Sequence, residues 1–525
     1  MTTQTKSWAV AQIGEVSEVN PRLDKSDIAG DLEVSFVPMP SVGAETGKID
    51  VTTRRLFAEV EKGFTSFKQG DVLFAKITPC MENGKMVVVP EVIGGLAFGS
   101  TEFHVLRPAN GIVAQYLYLY VSTKRFRADA EHNMTGAVGQ RRVPTTYLSQ
   151  AEVPIPPTAE QRRIVAKIEE LFSELDKGIE NLKQARAQLA VYRQALLKHA
   201  FEGKLTADWR ATHAAQLEPA DQLLARIRAE REGRYQLHLA EWKAAICAWE
   251  KTGKIGKRPT KPRSPEDPDK PSSEHVKRIW TLPAPWQWLQ IGVFAFVTKL
   301  AGFEYTDYVK YDDAGDLQVI KAENAGRHGF RVTSYSRIHS GSVAHLKRSL
   351  VVGGELLVVF VGAGTGNVAT VPHGSPFFLG PNIGMARAET EAISTRYVEL
   401  FLRSPAGRDM ILAASKAVAQ PSLSMETIRQ APIAIPPTTE QQEIVRRLED
   451  NLDAIAALEA DIETNLQKSE ALRQSILKKA FAGELVPQDP ADEPAAALLA
   501  RIRAERAATA TTKPARRAKA PCPVA

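Results

Sequence analysis

Cysteine is nearly missing from this chain of 525 residues: Cys80, Cys247 and Cys522 stand far apart. No two have the spacing of a metal-ligand pair or a redox motif, and three is a poor number for a disulfide framework. A reducing cytoplasm is the expected compartment. No run of about 18 apolar residues occurs, so nothing is expected to span a membrane. The longest candidate, LLVVFVGAG (Leu356 to Gly364), is too short and reads as a buried strand. The N-terminal MTTQTKSWAVAQIG lacks a charged head followed by a long apolar stretch and is not read as a signal peptide. Neither sign of charge dominates: the net charge is +6 and the pI about 9.0. That surplus suits solubility, and equally an acidic polymer as partner. Hydrophobic residues at 44% and charged residues at 24% fit a globular protein. The length exceeds what one core holds, so two or more domains are expected.

What the chain does have is repetition. IPPTAEQRRIVAKIEELF from Ile155 returns as IPPTTEQQEIVRRLEDNL from Ile435, an offset of 280 that holds without a gap to AFEGKL (Ala200 to Leu205) against AFAGEL (Ala480 to Leu485). EPADQLLARIRAER (Glu218 to Arg231) recurs as EPAAALLARIRAER (Glu493 to Arg506) at an offset of 275, and WAVAQIGEV (Trp8 to Val16) resembles WQWLQIGVF (Trp286 to Phe294). So long a period means two copies of a domain pair, not a solenoid. Residues 20–150 and 300–430 share little, which suggests one scaffold presenting two unlike modules.

Pro156-Pro157 and Pro436-Pro437 stop the domain before them. Thr158 and Thr438 read as N-caps, with Glu160-Gln161 and Glu440-Gln441 in the first turn near the positive helix end. A helix of about 40 residues, roughly 60 Å long, is expected after each. In the first, apolar or small residues fall at Ile164, Ile168, Leu171, Leu175, Gly178, Leu182, Ala185, Leu189, Tyr192 and Leu196. The same frame in the second gives Ile444, Leu448, Asn451, Ile455, Leu458, Ile462, Asn465, Ser469, Leu472 and Ile476. This alternating four-three spacing is a heptad seam. An amphipathic helix resting on its own domain is the alternative. Two matching seams favour antiparallel pairing through Ile168, Leu175, Leu182, Leu189 and Leu196 on one side and Leu448, Ile455, Ile462 and Ile476 on the other. Asn451, Asn465 and Ser469 are then polar seam positions, and Gly203 and Gly483 suit the helix ends.

Residues 206–284 hold a basic helical stretch and then KTGKIGKRPTKPRSPEDPDKPSS (Lys251 to Ser273), a Pro- and Lys-rich segment read as solvated linker, with phosphate contact as the alternative. The tail after Arg506 is expected to be disordered. The expected boundaries are 1–157 and 285–437 for the modules, 158–205 and 438–486 for the helices, 206–284 for the segment between, and 487–525 for a C-terminal helical segment and tail.

Each module reads as α+β. The first has strands in GDVLFAKITP (Gly70 to Pro79), GKMVVVP (Gly84 to Pro90) and STEFHVLRP (Ser100 to Pro108), then a helical stretch from Ala114 to Ala130. The second has GGELLVVFVGAGTGNVATVP (Gly353 to Pro372), NIGMARAE, and a helical stretch from Ser394 to Ser415. The glycines of FVGAGTGN (Phe360 to Asn367) invite a cofactor-loop reading. Against it, NVATVP continues as strand rather than as a helix whose N-terminus would meet phosphate, and the matching FAKITPCMENG has no such glycines. A glycine hairpin is the better account, with Gly364 expected to matter for folding or recognition. There is no Asn-Pro-Pro-Tyr or Asp-Pro-Pro-Tyr, no Gly-x4-Gly-Lys-Ser/Thr and no His-Glu-x-x-His. His328, His339, His345 and His373 read as loop or surface residues rather than a metal site.

Two variable modules, each closed by Ile-Pro-Pro-x-x-Glu-Gln-x-x-Ile-Val and a long helix ending in Leu-Lys-x-Ala-Phe-x-Gly-x-Leu, resemble the DNA-specificity subunit of type I restriction-modification enzymes. GDVLFAKITPCMENGK, STEFHVLRP and GTGNVATVP are also similar to sequences in that family, and the likeness covers about residues 8–206 and 284–486. It implies an α+β fold of two target recognition domains in tandem pseudo-repeat, separated by two long antiparallel coiled-coil helices. It further implies a non-catalytic chain. Each module would read half of a split double-stranded DNA site, and the helices would dock two methyltransferase subunits. Restriction-translocase subunits would join them. S-adenosylmethionine, ATP and Mg would belong to those partners, none to this chain.

Base reading needs amide, hydroxyl or basic side chains presented into a groove. The candidates are Lys76, Thr78, Asn83, Lys85, Gln140, Arg141 and Arg142 in the first module. In the second they are Lys321, Asn324, Arg327, Lys347, Arg348, Asn367 and Gln420. For each, a phosphate contact or plain surface is the competing role. The rival readings of the whole are a self-contained methyltransferase using residues 362–366 and a coiled-coil scaffold without nucleic acid.

Overall fold

The computed structural model describes residues 7–137, 139–255, 258–262, 264–265, 280–374, 376–413 and 422–511. It divides into two compact units, Met1–Lys183 with Ile462–Ala525, and Gln184–Asp461. Each unit holds one module and one half of both long helices.

In the first unit, Ala9–Gln12 pairs antiparallel with Glu152–Ile155, so the strand before the double proline closes the module onto its own beginning. One four-stranded antiparallel sheet runs in the order Ser17–Val19, Phe103–Pro108, Val72–Ala75, Met86–Val88. A second runs Arg54–Leu56, Glu33–Val37, Ala97–Gly99, Thr65–Phe67, with a parallel pair at its centre. In the second unit, Gln287–Gln290 closes on Pro432–Ile435. Its sheets run Ala295–Lys299, Ile383–Ala388, Leu356–Val359, Val368–Thr370, and Ser336–Ile338, Leu317–Ile320, Phe377–Leu379, Leu350–Val351, again with one parallel pair. The strand order is the same, although the sequences have diverged.

The apolar runs explain themselves by burial on both faces. Val72 and Phe74 pack with the helices, whereas Leu73 and Ala75 pack against the second sheet. Leu356 and Val358 face one core and Leu357 and Val359 the other in the second module. Each expected helical stretch is two helices. Ala114–Val121 and Lys124–His132 break where the Thr123 hydroxyl caps Phe126 N at 3.2 Å. Thr395–Arg403 and Pro405–Ala413 break at a proline.

The long helices are Thr158–Phe201 and Thr438–Phe481, 44 residues each. In the first unit the start of one meets the end of the other: Arg473 pairs with Asp176, and its guanidinium lies 4.4 Å over Phe172. In the second unit Arg193 of the first helix pairs with Glu459 of the second at 3.0 Å. The helices are therefore antiparallel in both units. Gly203 and Gly483 end them at φ +73° and +75°.

The seam departs from the strict heptad frame. Ile164, Ile168, Leu196, Ile444, Leu448, Ile455, Ile462 and Ile476 are buried, and Leu175, Leu182 and Leu189 half-buried. Gly178, Tyr192, Leu458, Asn465 and Leu472 are exposed instead, and the next residue, Ile179, Arg193, Glu459, Leu466 or Arg473, turns inward. A helix turning at 3.6 residues drifts from a period of 3.5, and the frame slips by one. Asn465 is thus no seam residue, while Asn451 and Ser469 stay half-buried and donate to Arg447 O and Asn465 O, both at 2.8 Å. Thr158 and Thr438 are not caps either. They are the first helical residues, and their hydroxyls donate outward to Gly111 O at 2.7 Å and Ala392 O at 2.9 Å.

Between the copies lie Ala207–Thr212 and Ala220–Lys251; the latter begins as the counterpart of Ala495–Thr511. Leu223 and Ile227 are buried in one unit as Leu498 and Ile502 are in the other. The terminal helix runs past Arg506 to Thr511, five residues further than expected. The remainder of the tail, and residues 256–257, 263 and 266–273 of the Pro-rich linker, lie outside the described residues; of the linker, Pro259 accepts from Trp242 Nε1 at 3.0 Å.

Candidate nucleic-acid interface

In the first module, a ten-residue connection, Lys76 to Lys85, joins Val72–Ala75 to Met86–Val88. Bridges of Ile77 and Thr135 to Arg142 bring the loop before the closing strand against it. Thr78 N donates to Arg141 O at 3.0 Å, and Val143 N to Lys76 O at 2.9 Å. Lys76, Thr78, Gln140, Arg141 and Arg142, distant in sequence, thus come together. His104 is buried behind them with Nε2 2.8 Å from Val143 O, and burial lowers its pKa.

Not all of the candidates are free to read. Arg142 grips Glu102 through Nε to Oε2 at 2.9 Å and Nη2 to Oε1 at 2.8 Å, and this holds the Glu102 carboxyl below its usual range. Arg141 lies 3.6 Å from Glu131 and 3.9 Å from Glu82. Thr78 Oγ1 donates to Glu82 at 3.0 Å, and Lys85 Nζ to Met39 O at 3.0 Å. Asn83 and Gln140 are exposed, and Lys76 is half-buried, its charge helping to hold the Glu102 carboxyl down.

In the second module, the glycine stretch is the turn of an antiparallel hairpin, Leu356–Val359 with Val368–Thr370, as expected. Gly362 and Gly366 carry φ of +107° and +83°; Gly364 does not have a positive φ. Asn367 is braced, accepting from Arg408 Nη1 at 3.2 Å and donating to Ala325 O at 3.4 Å. Asn324 is no base reader. It is buried, accepts from Lys321 N at 2.8 Å, and donates to Arg331 O at 3.0 Å and Thr333 Oγ1 at 2.9 Å. Arg348 is spent on Glu304, 2.6 Å and 2.5 Å from its two oxygens. Lys321 donates to Ser336 Oγ at 2.6 Å, and Arg327 and Lys347 are exposed. Gln420 lies outside the described residues.

The repeated Glu-Gln pair does more than sit at a helix dipole. Gln161 accepts from Val113 N at 2.8 Å and donates to Pro156 O at 3.0 Å; Gln441 accepts from Ser394 N at 2.8 Å and donates to Pro436 O at 3.0 Å. Glu160 accepts from Trp8 Nε1 and Glu440 from Trp286 Nε1. The helix start is thereby fixed to its module. The shared tryptophan of the N-terminal echo was the signal for these anchors, and sequence reasoning passed over it.

Repeated strand order, closing strands and an antiparallel helix pair define a tandem-domain α+β protein carried on a helical spacer. The type I restriction modification DNA specificity domain matches residues 5–184 and 301–468. The chain is 26% identical over 525 residues to the specificity subunit of the Escherichia coli type I restriction enzyme EcoEI, covering 90% of this chain and 83% of that one. It is 36% identical over 171 residues to the EcoAI specificity subunit of Escherichia coli, covering 32% and 29%. Among solved structures, a chain of a type I restriction-modification complex matches with TM-score 0.62 at 17% identity over 92% of this chain and 99% of that one. The HsdS subunit of Thermoanaerobacter tengcongensis matches with TM-score 0.55 at 16% identity over 92% and 98%. The chain belongs to the type I restriction-modification DNA specificity family. It is the non-catalytic DNA sequence-recognition subunit of such a system, not a self-contained methyltransferase.

Proposed function

We propose that each module reads one half of a bipartite double-stranded DNA target, and that the chain directs adenine methylation and restriction by partner subunits. Two methyltransferase subunits dock on the spacer helices, and restriction-translocase subunits join them in the cytoplasm. S-adenosylmethionine, ATP and Mg are held by those partners. The observation that carries this reading is one strand order bearing two sets of unlike loops: a common frame with divergent tips suits two different half-sites. Among the described residues no helix is long and apolar enough to cross a membrane, and no group of three or more His, Cys, Asp or Glu is placed to hold a metal.

The test is exchange of residues 20–150 for those of a relative, followed by methylome sequencing. One half of the methylated motif changes and the other stays. A change in both halves together defeats the division of labour.

A further inference from the structure

The helix Ala220–Lys251 is longer than its counterpart Ala495–Thr511. Its first turns pack into the core of the second unit through Leu223 and Ile227, but past Arg231 none of its residues is buried. Along this extension Tyr235, Leu239, Trp242, Ile246 and Trp249 are half-buried, and every residue between them is exposed. The spacing of four and three lays them in one stripe. At the helix end Gly253 N donates to Glu250 O at 3.2 Å and Lys254 N to Trp249 O at 2.9 Å, with φ of +76° and +63° at the two residues. Such a stop reverses the chain. Trp242 Nε1 then donates to Pro259 O at 3.0 Å, so the returning segment meets the stripe. From Pro259 a proline stands at every third position, at Pro262 and Pro265. Each fixes its own φ and keeps the residue before it out of the helical region, which holds the segment extended at three residues per turn. Burial follows the same period: Pro259, Pro262 and Pro265 are half-buried, whereas Arg258, Thr260, Lys261 and Ser264 are exposed. The proline edge is sheltered and the other edges face water. Arg258 and Lys261, one turn apart, share an edge about 9 Å from each other along the strap.

The strap is also the most one-sided stretch of charge in the chain's middle. Lys251 to Pro265, KTGKIGKRPTKPRSP, holds six Lys and Arg and no acid. Lys251, Lys254, Arg258 and Lys261 are exposed, and no carboxylate among the described residues pairs with them. Apart from Ile255, 80% exposed, the stretch has no large apolar side chain. The counterpart helix likewise leads into a basic stretch, TTKPARRAKA from Thr511, with four Lys and Arg and no acid. We propose that the strap is a second, sequence-independent DNA contact of this chain, in which Lys254, Arg258 and Lys261 meet phosphates outside the bases that the module reads. This rests on the DNA-reading function proposed above and deepens it. A segment already held extended loses little freedom when its cations bind. The duplex backbone supplies a dense row of negative charge and asks for no particular sequence. An acidic protein surface is the competing partner. It suits the strap less, because protein interfaces are depleted in lysine and gather apolar residues at their centre. A basic stretch after both copies of the helix fits a grip duplicated together with its module.

The test titrates the full chain, assembled with its methyltransferase partners, onto two labelled duplexes by fluorescence anisotropy over a series of salt concentrations. One duplex carries the motif found by methylome sequencing; in the other both half-sites are scrambled. K254A/R258A/K261A lowers the salt slope by about 1 per cation removed and weakens binding to both duplexes by the same factor, about tenfold or more at moderate salt. K254R/K261R keeps affinity and slope, because the charge is kept. All three side chains are exposed, so the fold survives their loss. A loss confined to the motif duplex would make these residues base readers and overturns the proposal. An unchanged slope overturns it too, as does loss of methyltransferase assembly while the chain alone binds DNA as before. If the unsubstituted complex prefers neither duplex, the DNA-reading function fails instead, and the slope still decides the phosphate contact.

Discussion

Arg210 donates through Nε to Oε1 of Glu440 at 2.9 Å, and the glutamate it meets has no surface exposed to water. Thr206 Oγ1 at 2.7 Å and Trp286 Nε1 at 3.0 Å complete the shell. Glu160 is equally buried but receives only Trp8 Nε1, at 2.9 Å, and its Oε2 has no hydrogen-bond partner among the described residues. The residues 280 positions on from Thr206 and Arg210 are Val486 and Pro490, which cannot serve. Burial raises the Glu160 pKa, against the pull of Trp8 and Arg163.

The two glutamates should therefore respond oppositely to neutralisation. Glu440→Gln leaves Arg210 facing a neutral amide in a buried setting, and a loss of about 3 kcal/mol is expected. For Glu160 the folded pKa lies above the unfolded one. Its contribution is full below the unfolded value and is lost as pH rises through the folded one, so the charge is a burden at neutral pH. Glu160→Gln should leave the melting temperature at pH 7 unchanged or raise it. Equal drops in both variants by calorimetry would refute the asymmetry.

Glu443 gives the reverse pH signature. Arg446, followed by Arg447 and opposed by partial burial, holds its carboxyl down to about 2 from an ordinary 4.5. Arg447 also reaches Leu205 O at 2.9 Å and Asp208 at 2.9 Å, tying the start of the second long helix to the end of the first. A lowered folded pKa contributes stability that is complete above about 4.5 and is lost as pH falls through about 2. Acid unfolding of Glu443→Gln should differ from the parent at pH 6 and converge with it near pH 2. A gap that persists to pH 2 would exclude the ion pair as its source.

Gly362 and Gly366 of the glycine hairpin both demand glycine, and Gly366 is the more crowded of the two. Gly366 holds φ +83°, and a Cβ there would stand 2.9 Å from Leu412 Cδ2. Gly364 lacks a positive φ, and its Cβ would meet only Asn367 Nδ2 closely, at 3.2 Å, so a small give of one side chain accommodates it. Gly366→Ala should destabilise the second module by about 1–2 kcal/mol, and Gly364→Ala by less. Thermal melts of the two variants decide it. The reverse order would mean that the turn, and not the left-handed backbone, sets the demand.

The tandem frame was legible because the repeat is long and the strands buried on both faces are continuous apolar runs, as at Val72–Ala75 and Leu356–Val359. Strands such as Arg54–Leu56, three residues with every side chain exposed, carry no period to detect. The parallel pairing of Glu33–Val37 with Ala97–Gly99 joins segments about 60 residues apart, which no local pattern announces. The candidate readers failed for a related reason. Arg142 and Arg348 look alike in sequence to any groove-reading arginine, and what removes them are Glu102 and Glu304, each 40 or more residues away. Residue type proposes a role; the acid that cancels it is found only in space.

The slipped seam makes its own prediction. Gly178 sits in mid-helix, exposed, and a Cβ added there would meet nothing within 4 Å, whereas Ile179 turns inward. Gly178→Ala should stabilise the protein by about 1 kcal/mol, the helix-propensity difference. Ile179→Ala should cost about 1–2 kcal/mol of half-buried surface. Under the strict heptad frame the first change would perturb the seam and the second would be silent, so chemical denaturation of the pair distinguishes them.

Tyr192 and Leu472 stand 280 residues apart in the same frame, and each is 51% exposed. Heptad logic would have buried both; the drift of the helix leaves them in water, at equivalent places on two equivalent helices. Isolated exposed apolar residues need no explanation, but a matched pair on a duplicated scaffold suits two copies of one partner. Exposed positions can be changed without touching the core, so Tyr192→Asp and Leu472→Asp should each leave the melting temperature within about 1 °C of the parent, as surface substitutions do. If these residues anchor the methyltransferase subunits, each single variant should bind one copy instead of two, and the double variant neither, as read by native mass spectrometry of the assembled complex. A single variant that loses both copies would mean that docking is cooperative across the helices. Full assembly by the double variant would place the docking surface elsewhere.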